Sequence, residues 1–126
     1  MAFAREAVQL DPKFGPGWEL VARGQLEEGK VAEALQSAEN AIKHSPQFHG
    51  GYVTRGMILT AQKRWDEALA SVEQGLQRQP KDLTALQLKT MCYVQMGNKD
   101  KARMVLDQML QLNPNHPWAK KARASL

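Results

Sequence analysis

Four prolines stand at a constant interval in this chain: Pro12, Pro46, Pro80 and Pro114. A proline lacks a backbone donor and pushes the residue before it out of the helical region, so each one closes a structural unit instead of sitting inside one. Repetition at roughly 34 residues is the signature of a helix-turn-helix array, in which a unit buries its apolar face by stacking on its neighbours. The expected fold is an all-α solenoid of antiparallel helix pairs, with three full repeats at residues 15–48, 49–82 and 83–116. Residues 1–12 read as the end of a preceding repeat, a leading half-repeat helix, and residues 117–126 as a C-terminal capping helix. Such an array presents an extended concave surface, which points toward binding and away from chemistry.

The residues between the prolines keep the same register. Ala34, Ala68 and Ala102 recur at the interval, as do Ala41, Gly75 and Met109 seven positions later. Alanine and glycine at these places let two helices approach closely, while Met109 is large. Trp18, Tyr52 and Leu86 stand near the start of each first helix, and Ile42, Leu76 and Leu110 recur in each second helix. Gly29 and Gly97 mark the turn within two of the units and suit a left-handed residue after a helix; Lys63 takes that place in the middle unit and should weaken its turn. In the leading helix, Ala4, Ala7 and Leu10 stand in register with the second helix of a unit.

This order of residues resembles the tetratricopeptide repeat family across nearly the whole chain. The middle unit supplies Tyr52, Gly56, Leu59, Ala68, Val72, Gly75 and Pro80; the first supplies Trp18, Ala22, Gly29, Ala34, Ala38, Ala41 and Pro46; the third supplies Leu86, Tyr93, Gly97, Ala102, Leu106 and Pro114. The resemblance implies a right-handed superhelix whose concave groove is lined by the first helix of each unit. The chain also departs from the pattern. Arg55 and Lys89 stand where Val21 stands in the first unit, Gln25 replaces an aromatic, and Thr90 replaces a small residue. A buried charge is costly, so the stems of Arg55 and Lys89 are expected to pack while their heads reach solvent or a carboxylate.

Carrying the family's groove positions onto this sequence gives Leu20, Arg23, Val53, Thr54, Met57, Gln87, Leu88, Met91 and Val94 as candidate peptide-contacting residues. Some tetratricopeptide modules grip the C-terminal carboxylate of chaperones through lysine and asparagine. Here those places read Glu19, Arg23, Thr54, Thr84 and Leu88, so the clamp is absent. The remaining groove of methionine, leucine, valine and threonine suits an extended or helical peptide with apolar anchors.

The sequence offers no chemistry to set against binding. His44, His49 and His116 have no second histidine or cysteine three or four residues away, so no zinc pattern forms. Gly15-Pro16-Gly17 and His49-Gly50-Gly51 lack the lysine and hydroxyl of a phosphate loop. The single cysteine, Cys92, excludes an internal disulfide and reads as an apolar filler. No catalytic residue, cofactor or metal site is expected. The net charge of +4 is interleaved with acids, as in Arg64-Trp65-Asp66-Glu67, which argues against a nucleic-acid stripe; only Lys120, Lys121 and Arg123 cluster, at a helix end. No apolar run reaches the roughly 18 residues a membrane span needs.

The function expected is a non-catalytic scaffold that binds a protein or peptide partner, as part of a larger protein or complex. Two alternatives stay open: a self-association module dimerising through the exposed N-terminal helix, and an accessory domain recruiting substrate to an enzyme encoded elsewhere in a longer chain. The cytoplasm is the default compartment, with a bacterial envelope open if a targeting segment exists.

Overall fold

The computed structural model describes residues 2–126, with side-chain burial from residue 4 onward. Among the described residues there are eight helices and no strands: α1 (Ala2–Leu10), α2 (Gly15–Glu27), α3 (Val31–His44), α4 (His49–Ala61), α5 (Trp65–Arg78), α6 (Leu83–Gln95), α7 (Lys99–Leu112) and α8 (Pro117–Ser125). The starts of α2, α4 and α6 (Gly15, His49 and Leu83) follow the same interval as the prolines, and so do those of α3, α5 and α7. The chain is an all-α helical repeat solenoid.

The turns inside the pairs are three residues long, which brings each second helix back antiparallel against its first. Gly29 and Gly97 sit at φ 79°, and Lys63 takes the same left-handed conformation at φ 60°. Its Cβ is crowded there, at a cost of roughly 1 kcal/mol that glycine does not bear. The joints between units have their own device. Trp18 Nε1 donates to the Pro12 carbonyl at 2.6 Å, and Tyr52 Oη to the Pro46 carbonyl at 2.8 Å. The aromatic that opens one unit thus ties back to the proline closing the unit before. Arg78 reinforces the second joint: its Nε donates to the same Pro46 carbonyl at 2.8 Å and its guanidinium lies 4.1 Å from the centre of the Tyr52 ring.

Small residues hold the helices close. Ala34, Ala68 and Ala102 are all fully buried. A Cβ on Gly56 would run into Val72 Cγ2, and one on Gly75 would meet Val53 Cγ2 at 2.7 Å. At the third station Met109 fills the corresponding space, packed with Leu86, Val105, Leu106 and Ala119 beneath the last helix. Cys92 is fully buried in a cluster with Leu59 and Ala68, and burial raises its thiol pKa, in keeping with a filler.

The departures from the repeat pattern are satisfied locally. Arg55 donates from Nε to Ser71 Oγ and from Nη2 to Gln74 Oε1, both at 2.9 Å. Lys89 Nζ lies 3.9 Å from Glu73 Oε1. Ser37 Oγ donates to Gln25 Oε1 at 2.6 Å, and Thr90 Oγ1 donates to the Leu86 carbonyl at 2.9 Å.

The ends differ from each other. Ala4 is buried, but Leu10 is 89% exposed. The register explains it: Leu10 corresponds to His44 and Arg78, which end the second helices, while Ala4 corresponds to the core residues Ala38, Val72 and Leu106. At the other end, Trp118, Ala122 and Leu126 cover the cluster around Leu106 and Met109, and Arg123 Nε donates to Asp107 Oδ1 at 2.8 Å, fastening α8 to α7. No described helix is long and apolar enough to cross a membrane.

Candidate functional site

Successive first helices pack on each other, α2 on α4 and α4 on α6, in addition to packing on their own second helices. Among the described residues the second helices lack a comparable row of mutual contacts. Helices that touch along one side and splay on the other bend the array, which puts α2, α4 and α6 on the inner, concave side. Two depressions are formed by residues of these first helices.

The first depression lies among α2, α4 and the start of α6 and is lined by Arg23, Gly50, Val53, Thr54, Met57, Asp82 and Thr84. Asp82 is fixed there by capping α6, accepting from the Thr84 and Ala85 amides at 3.0 and 3.3 Å through Oδ1. Its other oxygen, Oδ2, lies 3.5 Å from His49 Nε2, and His49 meets Phe48 edge to face at 5.6 Å. Next to this depression on α2 stands Glu19, only 8% exposed. Glu19 Oε1 is 3.8 Å from Arg23 Nη1, and Glu19 Oε2 is buried with no hydrogen-bond partner. Burial holds the Glu19 carboxyl above the usual glutamate range, an effect that the Arg23 charge offsets in part.

The second depression lies between α6 and α8 and has a volume of about 250 Å³. Its lining is mostly apolar: Thr90, Met91, Val94, Gln95, Trp118, Ala122, Ser125 and Leu126. Met91 and Val94 are 36% and 37% exposed, although both are large apolar residues. Water in contact with them is available for displacement by an apolar side chain.

The nine candidate residues therefore separate by position. Arg23, Val53, Thr54 and Met57 line the first depression, and Met91 and Val94 line the second. Leu20 is 41% exposed on α2. Val53, Thr54 and Leu88 are buried, because the seam between neighbouring first helices closes over them; Val53 and Leu88 pack with Val72 and Ala85, and Met57 is half-buried against the same cluster. Gln87 is half-buried and belongs to neither lining. Sequence reasoning passed over Asp82, Trp118, Ala122 and Leu126 as lining residues. The N-cap position of Asp82 was the available signal for its fixed carboxylate, whereas the capping helix shows its inner face only once it is docked.

The opposite, second-helix side carries a more polar hollow lined by Glu39, Arg55, Arg64, Glu67, Ser71 and Gln74 among others. Most of its charges are engaged within the chain: Arg64 forms a two-pronged hydrogen-bonded pair with Glu67, and Arg55 is held by Ser71 and Gln74. Among the described residues no three histidine, cysteine, aspartate or glutamate side chains gather as a metal site. His116 accepts from the Ala119 amide as the N-cap of α8.

Comparison with known proteins bears on this arrangement. Two family models described as tetratricopeptide repeat match the chain, one over residues 59–126 and the other over residues 22–83. Hsp70-Hsp90 organizing protein 3 of Arabidopsis thaliana is 25% identical over 104 residues, a match covering 82% of this chain and 19% of that protein. The chain thus spans about a fifth of the length of the curated relatives it matches. Among solved structures, the first such repeat domain of Spaghetti (RPAP3), bound to the HSP90 peptide SRMEEVD, superimposes with a TM-score of 0.85 at 13% identity, covering 89% of this chain and 91% of that one. The crystal structure of MamA superimposes with a TM-score of 0.84 at 14% identity, covering 95% of this chain and 70% of that one. At these identities the structures establish the shared fold.

Proposed function

Because the chain belongs to the tetratricopeptide repeat family, a family whose domains here include a peptide-bound neighbour, we propose that it is a non-catalytic scaffold whose concave groove binds a segment of a partner protein. The observation that carries this reading is the apolar depression between α6 and α8, where Met91 and Val94 remain exposed beside Trp118. An extended or helical segment running along the groove would seat an apolar anchor there and continue past Leu20 and Met57 toward α2. Methionine adapts its shape to the anchor it meets.

The occupants named for the relatives do not carry over unchanged. A C-terminal carboxylate needs cationic or amide donors, and the five clamp places hold a buried acid at Glu19, a buried threonine at Thr54, a buried leucine at Leu88, and Arg23 and Thr84. Arg23 alone of these carries a positive charge, and it already faces Glu19. The partner segment is therefore read as one held by apolar contact at the C-terminal end of the groove.

The test is a double substitution on the exposed lining, Met91→Glu with Val94→Glu. Met57 is the poorer choice because it packs on the Val53 and Val72 cluster, so changing it would disturb folding as well as the surface. Immobilised wild-type and doubly substituted chains are compared for the partner proteins they capture, with circular dichroism as the folding control. Loss of specific partners at unchanged helicity supports groove binding; an identical set of partners rejects it.

A second reading, self-association, is favoured by one observation: Leu10 and Phe14 are 89% and 46% exposed at the α1 end. Light scattering over a dilution series, repeated with Leu10→Lys, checks it. A concentration-dependent dimer that the substitution dissolves supports it, and a mass that stays monomeric throughout removes it.

A further inference from the structure

The hollow on the second-helix side occurs twice, one repeat apart, with different chemistry. In the middle unit Arg55, Glu67, Ser71 and Gln74 contribute to it. One interval on, Lys89, Tyr93, Lys101, Met104, Val105 and Gln108 line a hollow of about 280 Å³ between α6 and α7. The middle hollow is closed on itself: Arg55 donates to Ser71 and Gln74, and Arg64 pairs with Glu67. The third unit lacks each of these arrangements. Val105 stands in place of Ser71 and offers no acceptor, so Lys89 faces only Glu73, at 3.9 Å. Asn98 stands in place of Arg64, and Lys101 in place of Glu67.

Lys101 is the residue that local rules oppose most. It falls in the first turn of α7, at the station that Glu33 holds in α3 and Glu67 in α5. An acid is favoured in the first turn of a helix and a cation disfavoured, so the exchange works against α7. Among the described residues no carboxylate lies within ion-pair distance of the Lys101 ammonium, which stands 5.7 Å from the centre of the Tyr93 ring. Beside it Met104 is 70% exposed, where the middle unit has Ala70. A cation in the wrong helical turn and a large apolar side chain held in water both work against the isolated chain. The two meet in one hollow, and breaking local rules at a station where the preceding unit keeps them marks that station for function.

We propose that this outer hollow of the third unit is a second docking surface, which takes an acidic segment of a partner protein with an apolar side chain set between its carboxylates. The apolar side chain lies on Met104 and Tyr93. The carboxylates supply the counter-charge that Lys101 lacks and that Lys89 meets only at long range. A nucleic acid fits this surface less well, because its backbone needs a run of cations. Here Glu73 beside Lys89, and Asp107 next to Gln108 on α7, would face the phosphates, and Asp107 is itself paired with Arg123. The hollow shares no lining residue with the α6–α8 depression, so the proposal goes beyond the groove reading and does not depend on it.

Lys101→Glu with Met104→Ala returns the hollow to the residues already present at Glu67 and Ala70, so the substituted chain is expected to melt no lower than wild type. If it does melt lower, Lys101→Gln, which removes only the charge, takes its place. Random displayed peptides are selected on the whole wild-type chain, and each winner is then measured on wild type, on Lys101→Glu/Met104→Ala and on Met91→Glu/Val94→Glu. The expected winners carry carboxylates on both sides of an apolar residue and bind the outer-hollow variant about ten-fold or more weakly. They bind the groove variant unchanged and weaken as salt is raised. A selection that yields no winner weakened by the outer-hollow variant overturns this surface, and the groove reading still stands if those winners depend on Met91 and Val94. Winners lost on the outer-hollow variant alone uphold the surface and leave the groove reading without support. A fluorescent decathymidylate is measured in parallel: binding that requires Lys101 when no acidic peptide does assigns the hollow to nucleic acid and overturns the peptide proposal.

Discussion

The two ends of the concave face are built on the same helical stations and differ in charge: one carries Arg23 and Asp82, the other no charged side chain. At the α2–α4 end the lining is Arg23, Gly50, Val53, Thr54, Met57, Asp82 and Thr84; at the α6–α8 end it is Thr90, Met91, Val94, Gln95, Trp118, Ala122, Ser125 and Leu126. Neighbouring first helices close tightly over Val53 and Leu88, whereas Met91 and Val94 remain in reach of solvent beside the terminal helix. A solenoid separates shape from chemistry in this way. The interval of the repeat sets the curvature, and each unit then varies the residues facing inward without disturbing the small-residue contacts behind them.

The largest effect of a single substitution is expected at the apolar end. Trp118→Ala removes the wall of the α6–α8 depression and part of the cover over Leu106 and Met109. Because Trp118 is only partly buried, the expected loss is about 2 kcal/mol, below the roughly 3 to 5 kcal/mol typical of a fully buried aromatic. Urea denaturation measures it, and a loss under about half a kcal/mol would show that α8 contributes little to the last unit's core.

At the polar end the sharpest steric test is Gly75→Ala. The added Cβ meets Val53 Cγ2 at 2.7 Å, so either Val53 moves toward the first depression or α4 and α5 separate. A destabilisation of about 1 to 2 kcal/mol is expected, with amide shifts at Thr54 and Arg23 and none at Met91 or Val94. Shifts spreading to the α6–α8 end would mean that the two depressions are mechanically coupled.

Lys63→Gly acts between the two regions and should leave both unchanged. It relieves the left-handed strain at φ 60° and is expected to stabilise the chain by about 1 kcal/mol, with partner capture unaltered. An unchanged or lower midpoint in thermal melting would show that the turn had already relaxed its strain elsewhere.

The smallest effect concerns pH and Glu19. Its folded pKa is raised, chiefly by burial and with Arg23 opposing, so the unfolded chain releases this proton first as pH rises. The folded state then binds more protons than the unfolded one, and stability falls as pH climbs from the ordinary glutamate range through the raised value. Glu19→Gln should remove that decline and leave the protein more stable at neutral pH by up to about 1 kcal/mol. Melting curves from pH titrations of both chains read the difference; parallel pH profiles would show that Glu19 is better solvated than its orphaned oxygen implies.

Much of this molecule is legible in its sequence because the repeat supplies an internal ruler. The prolines locate the joints, Gly29, Lys63 and Gly97 locate the turns, and Ala34, Ala68 and Ala102 locate the close helix contacts. These are local requirements of backbone conformation and of volume, and a linear sequence states them directly. The groove was legible only in outline. Register placed Val53, Thr54, Leu88, Met91 and Val94 alike on first helices, yet three of the five are buried and two exposed. Leu10 stands in register with His44 and Arg78 at the ends of the second helices and is exposed, whereas Ala4 on the same helix is buried.

The period, the helix pairs and the family to which the chain belongs follow from proline, glycine and alanine at fixed spacing along the sequence. Tertiary structure alone decided how far each seam between first helices closes, that α8 contributes Trp118 and Leu126 to a depression, and that one oxygen of Glu19 is left without a partner. The physical reason is the same in all three cases. Exposure and hydrogen-bond satisfaction depend on which side chains from other helices fill the space around a residue, and that space exists only after the units have stacked.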